Sequence, residues 1–350
     1  MSTATIDIAP APKAAASRFE WVDYAKGIAI ILVVYRHMLY GLQHSGLPVA
    51  QWIIDGNNML FSFRMPLFFL LSGLFFQSGL RKRGPGGLFT ERVNNLLYPY
   101  VLWAVIQITL QIVFAKYANA NRTVWNYLDI IVQPRGLDQL WYLFALFNVT
   151  ALYLFNHIVL GLNDRLQLLL GLIFLALAPL VMQWSTFYDV MLHYIFFSIG
   201  VLSAPLLLEK SMQDRLASGY NLLLFLPVFV LSQWYFLYHQ QMNLYLYAVI
   251  ALIGSVFMMM LSAWLSGHQK LLFMKTIGHY SLYIYLMHVM LAAVVRSLLL
   301  KSGLITNVPL LLLILIVTAI PLSILAYKTL MALRMGWLFK GPFTVKKQPL

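Results

Sequence analysis

The stretch Glu20–Gly41, EWVDYAKGIAIILVVYRHMLYG, decides the fold of this chain. It is an apolar segment that carries Lys26 near its start and the pair Arg36 and His37 towards its far end. In an α-helix the spacing of Lys26 and His37 puts both within about 20° of one face and about 16 Å apart along the axis. Ionisable groups inside a bilayer cost about 2.5–3.5 kcal/mol each, so both are functional candidates. The alternative is a snorkelling lysine with a structurally paired histidine.

The composition indicates a membrane protein. Hydrophobic residues make up 61% of the 350 residues and charged residues 10%, and the mean hydropathy is +0.78, whereas soluble domains are about 25% charged. Apolar windows of spanning length predict an all-α polytopic bundle of about ten transmembrane helices, the first at Tyr24–Leu42 and the second at Met59–Leu80. The chain contains no cysteine, which excludes disulfides and thiol catalysis.

The basic residues predict the topology. The formal charge is +13, but lysine and arginine lie in short loops, which favours contact with anionic lipid over nucleic acid. Most of them fall in segments that lie on the same side of the membrane as the amino terminus. Because basic residues favour the cytosolic side, both termini are predicted to be cytosolic. We expect a disordered cytosolic tail at 1–18, a transmembrane domain at 19–333 and a basic cytosolic tail at 334–350, with no soluble domain after the last helix.

Two sites can carry chemistry. His37 lies deep in the first helix, where a neutral imidazole is a competent general base. Arg81 and Arg83, in the segment RKRGPGG, lie close to Arg92. Such forked cations beside a glycine-rich backbone suit phosphate groups. A plain positive-inside loop is the alternative for these arginines.

Other residues are candidates for a substrate pocket. Ser72, with the glycine after it, allows close approach of a helix or a ligand. Trp141 and Tyr142 begin the fourth predicted helix, where aromatic residues form an interfacial belt or stack on sugar rings. His288 ends the segment GHYSLYIYLMH, whose polar groups predict a helix that lines a polar interior. The 11 acidic residues lie mostly in loops, so we predict no metal site.

Together these motifs resemble the acyltransferase-3 family of integral membrane acyltransferases. The branch they resemble is fucose 4-O-acetylase-like and O-acetylates sugars and exopolysaccharides. The resemblance runs from Phe19 to Leu333 and is carried by WVDYAKGIAIILVVYRH, MPLFFLLSG, the RKR triplet followed by LLYPY, LWYL, HYIFFSIG and GHYSLYIYLMH. It implies a bundle of ten transmembrane helices.

The resemblance also implies roles for single residues. The family has an arginine, ten residues and then an essential histidine in its first helix. Here that spacing falls on Lys26 and His37, so lysine keeps the charge but loses the bidentate fork. The family's Arg-x-Arg motif matches Arg81 and Arg83. Positions with structural or pocket-lining roles match Ser72, Trp141 and His288.

The implied activity is acyl transfer from cytosolic acetyl-CoA, or another acyl-CoA, to a sugar hydroxyl. The acceptor would be a cell-surface glycan or a lipid-linked glycan precursor, and the enzyme would lie in a bacterial inner (cytoplasmic) membrane. Arg81 and Arg83, with Arg92 and Lys26, would hold the CoA phosphates, and His37 would deprotonate the acceptor. A covalent acyl-histidine, an antibiotic or lipid acceptor, a transporter or flippase of a lipid-linked sugar, and a sensory or scaffold protein remain alternatives.

Overall fold

The computed structural model describes residues 19–115 and 122–345, and the predicted tail at 1–18 and the end of the predicted basic tail lie outside these residues. Within them the secondary structure is helical, with short 3₁₀ segments and one π-helical turn. The α-helices are α1 Glu20–His44, α2 Gln51–Met59, α3 Arg64–Leu74, α4 Phe76–Arg92, α5 Tyr98–Val113, α6 Trp141–Ile158, α7 Asp164–Leu177, α8 Ser185–Leu207, α9 Lys210–Leu216, α10 Gly219–Tyr238, α11 Leu244–Gly267, α12 Leu272–His279, α13 Ser281–Ser302 and α14 Val308–Ala332.

Eight helical stretches in the described part of the chain are long and apolar enough to cross a membrane. They are α1, the joined stretch Phe76–Val113, α7 with the 3₁₀ turn after it, α8, α10, α11, α13 and α14. The prediction of an all-α polytopic membrane protein is confirmed. The count of ten spans and the cytosolic termini stay predictions, and α3 and α6 lie where the second and fourth predicted spans begin.

The second predicted helix is wrong as a continuous element. Of the predicted range Met59–Leu80, residues 60–63 separate α2 from α3, and Phe75 separates α3 from α4. The break before α3 is stabilised by the Arg64 side chain, whose Nε donates to the Leu60 carbonyl at 2.7 Å and whose Nη2 donates to the Asn57 carbonyl at 2.6 Å. These carbonyls have no partner within a helix that ends there, so a buried cation satisfies the end of α2.

The segment RKRGPGG is also not the predicted loop, because it lies inside α4. The helix is interrupted at Gly84, where φ is 67° and ψ is 175°. Only glycine adopts this conformation without strain, and Pro85 then suits the first position of the next helical turn. Arg81 and Arg83 therefore lie in the last turn before a helix break, beside the amino end of a new helical segment.

Helix α1 lies at the centre of the packing. It contacts α3, α11, α12, α13 and α14. Helix α3 also packs closely on α8, where a Cβ at Gly73 would collide with the Phe197 carbonyl and one at Gly200 with the Leu70 carbonyl. The small residue after Ser72 thus admits a helix rather than a ligand, as small residues commonly do in membranes.

The segment after α14 folds back onto the bundle. The Trp103 indole donates to the Leu338 carbonyl at 2.8 Å, and Asn94 exchanges hydrogen bonds with the backbone of Phe343. Phe339 is buried at 4% exposure. This contact holds the end of α4 and the start of α5, the region that carries Arg92.

Candidate active site

His37 lines a cavity of about 1050 Å³, which we call the His37 cavity. Helix α1 contributes Arg36, His37 and Tyr40 among others, and the wall is completed from α3, α5, α6, α8, α10, α11 and α13 and from the 3₁₀ segment Pro134–Leu140. His37 reaches the cavity because it lies one helical turn before Tyr40 and Gly41, on the face of α1 that turns away from the buried aliphatic core. Of the residues predicted from sequence, His37 and Trp141 line this cavity.

His288 lies beside His37 and not in the wall of the cavity. The two imidazole rings meet edge to face, with their centroids 5.3 Å apart. His288 is fully buried, and its Nδ1 lies 2.8 Å from the Ile284 carbonyl. A carbonyl only accepts, so Nδ1 carries the proton and Nε2 keeps a lone pair. Within the described residues that Nε2 has no hydrogen-bond partner.

An ion pair stands in the same cavity. Arg135 donates from Nε to Asp189 Oδ1 at 2.8 Å, and its Nη2 bonds the same oxygen. The guanidinium lies over the rings of Trp141 and Tyr188, 5.1 Å from each centroid. Asp189 is 1% exposed, and its Oδ2 has no partner among the described residues. Aromatic faces beside charged hydrogen-bonding groups are the surface that a sugar ring requires.

His193 completes this side of the cavity. Its Nδ1 donates to the Asp189 carbonyl at 2.8 Å, and its ring stacks on Phe69 with centroids 4.5 Å apart. The fixed proton on Nδ1 leaves Nε2 as an acceptor. His193 also lies 5.5 Å from the Trp141 ring centroid. It is therefore a second candidate for a hydrogen bond to an acceptor hydroxyl.

Ser72, Tyr142 and Arg92 form a second group, which does not line the cavity but adjoins it where the Tyr142 ring contacts that of Trp141. The Tyr142 hydroxyl lies close to the Ser72 side chain and within electrostatic range of Arg92. The Tyr142 ring packs on Tyr285 at 5.7 Å, and the Tyr285 ring lies 6.4 Å from that of His288. Buried polar groups thus connect the end of α4 to His37 through ring contacts.

We call the series Arg92, Tyr142, Tyr285 and His288 the buried column. It contains three buried atoms that have no hydrogen-bond partner in the described part of the chain. They are Arg92 Nε, the Tyr285 hydroxyl and His288 Nε2. Buried polar atoms are nearly always satisfied in folded proteins, so each requires an explanation. Three such atoms on connected residues make this region a second candidate for polar contacts.

Arg81, Arg83 and Lys26 lie apart from the His37 cavity. Arg81 is exposed, and Arg83 pairs with Glu91 at 2.8 Å. Lys26 is half-buried on the stretch of α1 that packs against α12. The structure therefore separates the predicted site residues into the cavity, the buried column and the basic end of α4.

Sequence reasoning does not identify the Arg135–Asp189 pair or a role for His193 in the cavity. The two residues of the pair are 54 positions apart, so no local pattern connects them. An acidic residue directly inside an apolar window is the signal that could have found Asp189. Across the described ranges no cluster of three or more potential metal ligands occurs.

Comparison with known proteins agrees with this architecture. The acyltransferase domain family called acyltransferase 3 matches residues 19–328. The nodulation protein NolL of Mesorhizobium japonicum is 38% identical over 91 residues, which cover 25% of this chain and 24% of NolL. The alignment therefore spans about a quarter of that relative. No solved structure matches the chain. Because the family match covers most of the sequence, the chain belongs to the acyltransferase 3 family, and its apolar helices are those of a multi-pass membrane protein.

Proposed function

We propose that the protein is a bacterial inner-membrane O-acyltransferase of the fucose 4-O-acetylase-like branch. It moves an acyl group, in the simplest case acetyl, from cytosolic acyl-CoA to a sugar hydroxyl of a cell-surface glycan or a lipid-linked glycan precursor. The observation that carries this proposal is the position of His37. Its side chain lines a cavity whose aromatic and polar groups suit a sugar, and it contacts His288, the end of the buried polar column that begins at Arg92.

His37 acts as the general base. A lone pair on its imidazole takes the proton of the acceptor hydroxyl while that oxygen attacks the thioester carbonyl. The new ester bond forms, the carbon–sulfur bond breaks, and the departing sulfur takes the proton back from the imidazolium. Each proton and electron pair is therefore accounted for without a metal or a redox partner.

The cavity suits the acceptor. Trp141 and Tyr188 present aromatic faces, and Arg135 and His193 present polar groups beside them. The volume of about 1050 Å³ lies at the upper end of ordinary ligand pockets, which supports an acceptor larger than one monosaccharide. With the predicted topology the cavity opens on the outer side of the membrane.

The basic end of α4 suits the donor. Arg81 and Arg83 lie directly before the helix break at Gly84, and a Cβ at Gly86 would meet open space. The first amide groups of the new helical segment have no intrahelical acceptor, so they are available as donors. Guanidinium forks and helix amino ends both favour phosphate. The buried column at Arg92 would then accept the pantetheine arm.

We expect the double variant Arg81→Ala and Arg83→Ala to raise the apparent KM for acetyl-CoA about tenfold or more and to change kcat less. The reason is that ground-state contacts to phosphate are lost while the chemistry at His37 is untouched. Initial rates of acetyl transfer by purified protein in detergent, with acetyl-CoA varied, measure both constants.

The matched control is Arg165→Ala with Lys210→Ala, which removes two charges from exposed positions on the same predicted face. This control separates a local phosphate site from the general surface potential. Equal KM values for the two double variants would contradict the assignment of the donor site to α4.

We expect His288→Phe to lower kcat about 10- to 100-fold with little change in the KM for acetyl-CoA. Phenylalanine fills the same space but removes Nε2, the acceptor that would hold one His37 nitrogen protonated and leave the other as a base. His288→Gln restores an acceptor and is expected to recover part of kcat. If glutamine were as slow as phenylalanine, His288 would only fill space, and its role in positioning His37 would be refuted.

A further inference from the structure

The His37 cavity carries an excess of positive charge. Among the described residues that line it, the arginines and lysine outnumber the carboxylates, since Asp138 is the one acidic residue in the wall and Asp189 lies behind Arg135. The cationic lining residues are Arg36, Arg64, Arg135, Arg296 and Lys301. Arg64 is 1% exposed and Arg36 is half-buried, and a charge that is held away from water requires a compensating partner.

Two of these arginines are committed to protein groups. Arg135 is bound to Asp189 through Nε and Nη2. Arg64 is 1% exposed and donates to Asn57 and Leu60, including a 2.9 Å bond from Nη1 to Asn57 Oδ1. The acceptors of Arg64 are neutral, so its hydrogen bonds are satisfied but its charge is not compensated.

Arg36 contacts aromatic rings, whereas Arg64 and Arg135 donate hydrogen bonds to protein acceptors. Its guanidinium lies over the rings of Tyr40 and Phe61, 4.4 Å from each centroid. In the described part of the chain neither a hydrogen-bond acceptor nor a carboxylate contacts it. Ring faces attract the cation but leave the N–H groups at the edge of the guanidinium plane available. Arg36 also lies within electrostatic range of Arg64 and Arg135, whose positive charges repel it.

The rest of the wall indicates what kind of anion would enter. Leu110, Phe114, Val294 and Leu298 line the same cavity and bring apolar surface to it. A small hydrated ion gains nothing from such surface, whereas an anion on a hydrocarbon chain buries it. The uncompensated charges of Arg36 and Arg64 match the two negative charges of a phosphate monoester or a diphosphate better than the single charge of a carboxylate.

We propose that Arg36 is the centre of an anion subsite that binds the phosphate of an amphiphilic acceptor, a sugar phosphate carried on a hydrocarbon chain. The inference rests on the proposed function and narrows its acceptor to the lipid-linked class. The phosphate sits between Arg36 and the charge of Arg64, the chain lies along the apolar wall, and the sugar extends towards Trp141 and His37. A neutral glycan would leave the charges of Arg36 and Arg64 uncompensated.

Binding without catalysis tests the subsite. Purified full-length protein in an uncharged maltoside detergent is titrated with geranylgeranyl phosphate, and the thermal shift gives an apparent Kd. Geranylgeraniol tests the chain without the charge, and inorganic phosphate tests the charge without the chain. We expect saturable stabilisation by geranylgeranyl phosphate at concentrations where neither of the other two probes acts.

Two variants locate the effect. Arg36→Gln is expected to weaken binding of geranylgeranyl phosphate about ten- to hundredfold, because a charged hydrogen-bond donor is lost. Arg165→Gln makes the same substitution at an exposed position on α7 and is expected to leave binding unchanged. Equal binding by both variants overturns the subsite, as does equal stabilisation by geranylgeraniol or by inorganic phosphate.

Nanodiscs distinguish an acceptor from an ordinary lipid. Binding of geranylgeranyl phosphate is measured for the wild-type protein in phosphatidylglycerol nanodiscs. If that lipid weakens binding as much as the Arg36→Gln substitution does, the head group of bulk lipid occupies the subsite and the acceptor assignment is overturned. We expect the probe to bind in nanodiscs of phosphatidylglycerol and of phosphatidylcholine alike. Because this readout needs no acyl transfer, its failure leaves the proposed chemistry at His37 standing, and a failure of that chemistry leaves the binding result standing.

Discussion

Replacing His37 by alanine is expected to lower the rate of acyl transfer about 10²- to 10⁴-fold, the contribution that a positioned general base makes. The acceptor hydroxyl is a poor nucleophile until its proton is removed, and the His37 imidazole lines the cavity from within the central helix α1. Transfer of radiolabelled acetyl from acetyl-CoA to the glycan fraction of membrane vesicles measures the loss directly.

Two controls make the result specific. His37→Gln keeps a side chain of similar length and tests whether lost packing explains the effect, since glutamine fills space but does not act as a base. His268→Ala removes an exposed histidine after α11 and is expected to retain full activity. A His37→Ala protein that elutes as a single species, unfolds at the wild-type temperature and still acylates its glycan would refute the assignment.

Breaking the Arg135–Asp189 pair is expected to produce the largest loss of stability, and the two halves of the pair should differ. Arg135→Leu leaves the Asp189 carboxylate unpaired at 1% exposure, which costs about 3–5 kcal/mol for a buried ion. Asp189→Asn leaves a guanidinium that is 45% exposed to the cavity and can be solvated there, so its cost is smaller, about 1–3 kcal/mol. Unfolding in mixed micelles with increasing dodecyl sulfate measures the difference.

The double variant tests the pairing itself. Arg135→Leu with Asp189→Asn removes both charges, so it is expected to be more stable than Arg135→Leu alone despite carrying an extra substitution. Additive losses in the double variant would mean that the two side chains act independently. In that case the ion pair would not be what orders Trp141 and Tyr188 around the cavity.

Sequence reasoning could select candidate residues on α1 because a local pattern along one helix marks them. A histidine eleven positions after a lysine in an apolar run is visible without any tertiary contact, and it identified His37 as the candidate base. The same reasoning placed Trp141 and His288 together in a substrate pocket. The structure assigns Trp141 to the cavity wall and places His288 behind His37, because α13 packs against α1.

The errors of the sequence reading have one cause. A hydropathy window sums the hydrophobicity of side chains and takes no account of backbone hydrogen bonds. It therefore predicts one helix that includes residues 60–63, directly before Arg64. The carbonyls that Arg64 satisfies make the break possible. The same window assigned RKRGPGG to a loop, although one glycine at positive φ suffices to break and restart a helix.

The sequence by itself determined the membrane-spanning helical class and the candidate base His37, since these depend on composition and on spacing along one segment. The resemblance to the acyltransferase 3 family rests on motifs spread from Phe19 to Leu333. Only the tertiary structure decided which polar groups meet around the segment Glu20–Gly41. The Arg135–Asp189 pair, the orientation of His288 towards His37 and the exposed edge of Arg36 join residues far apart in the chain. The physical reason is that a buried charge is stabilised by whatever packing brings beside it, and packing is a property of the whole bundle.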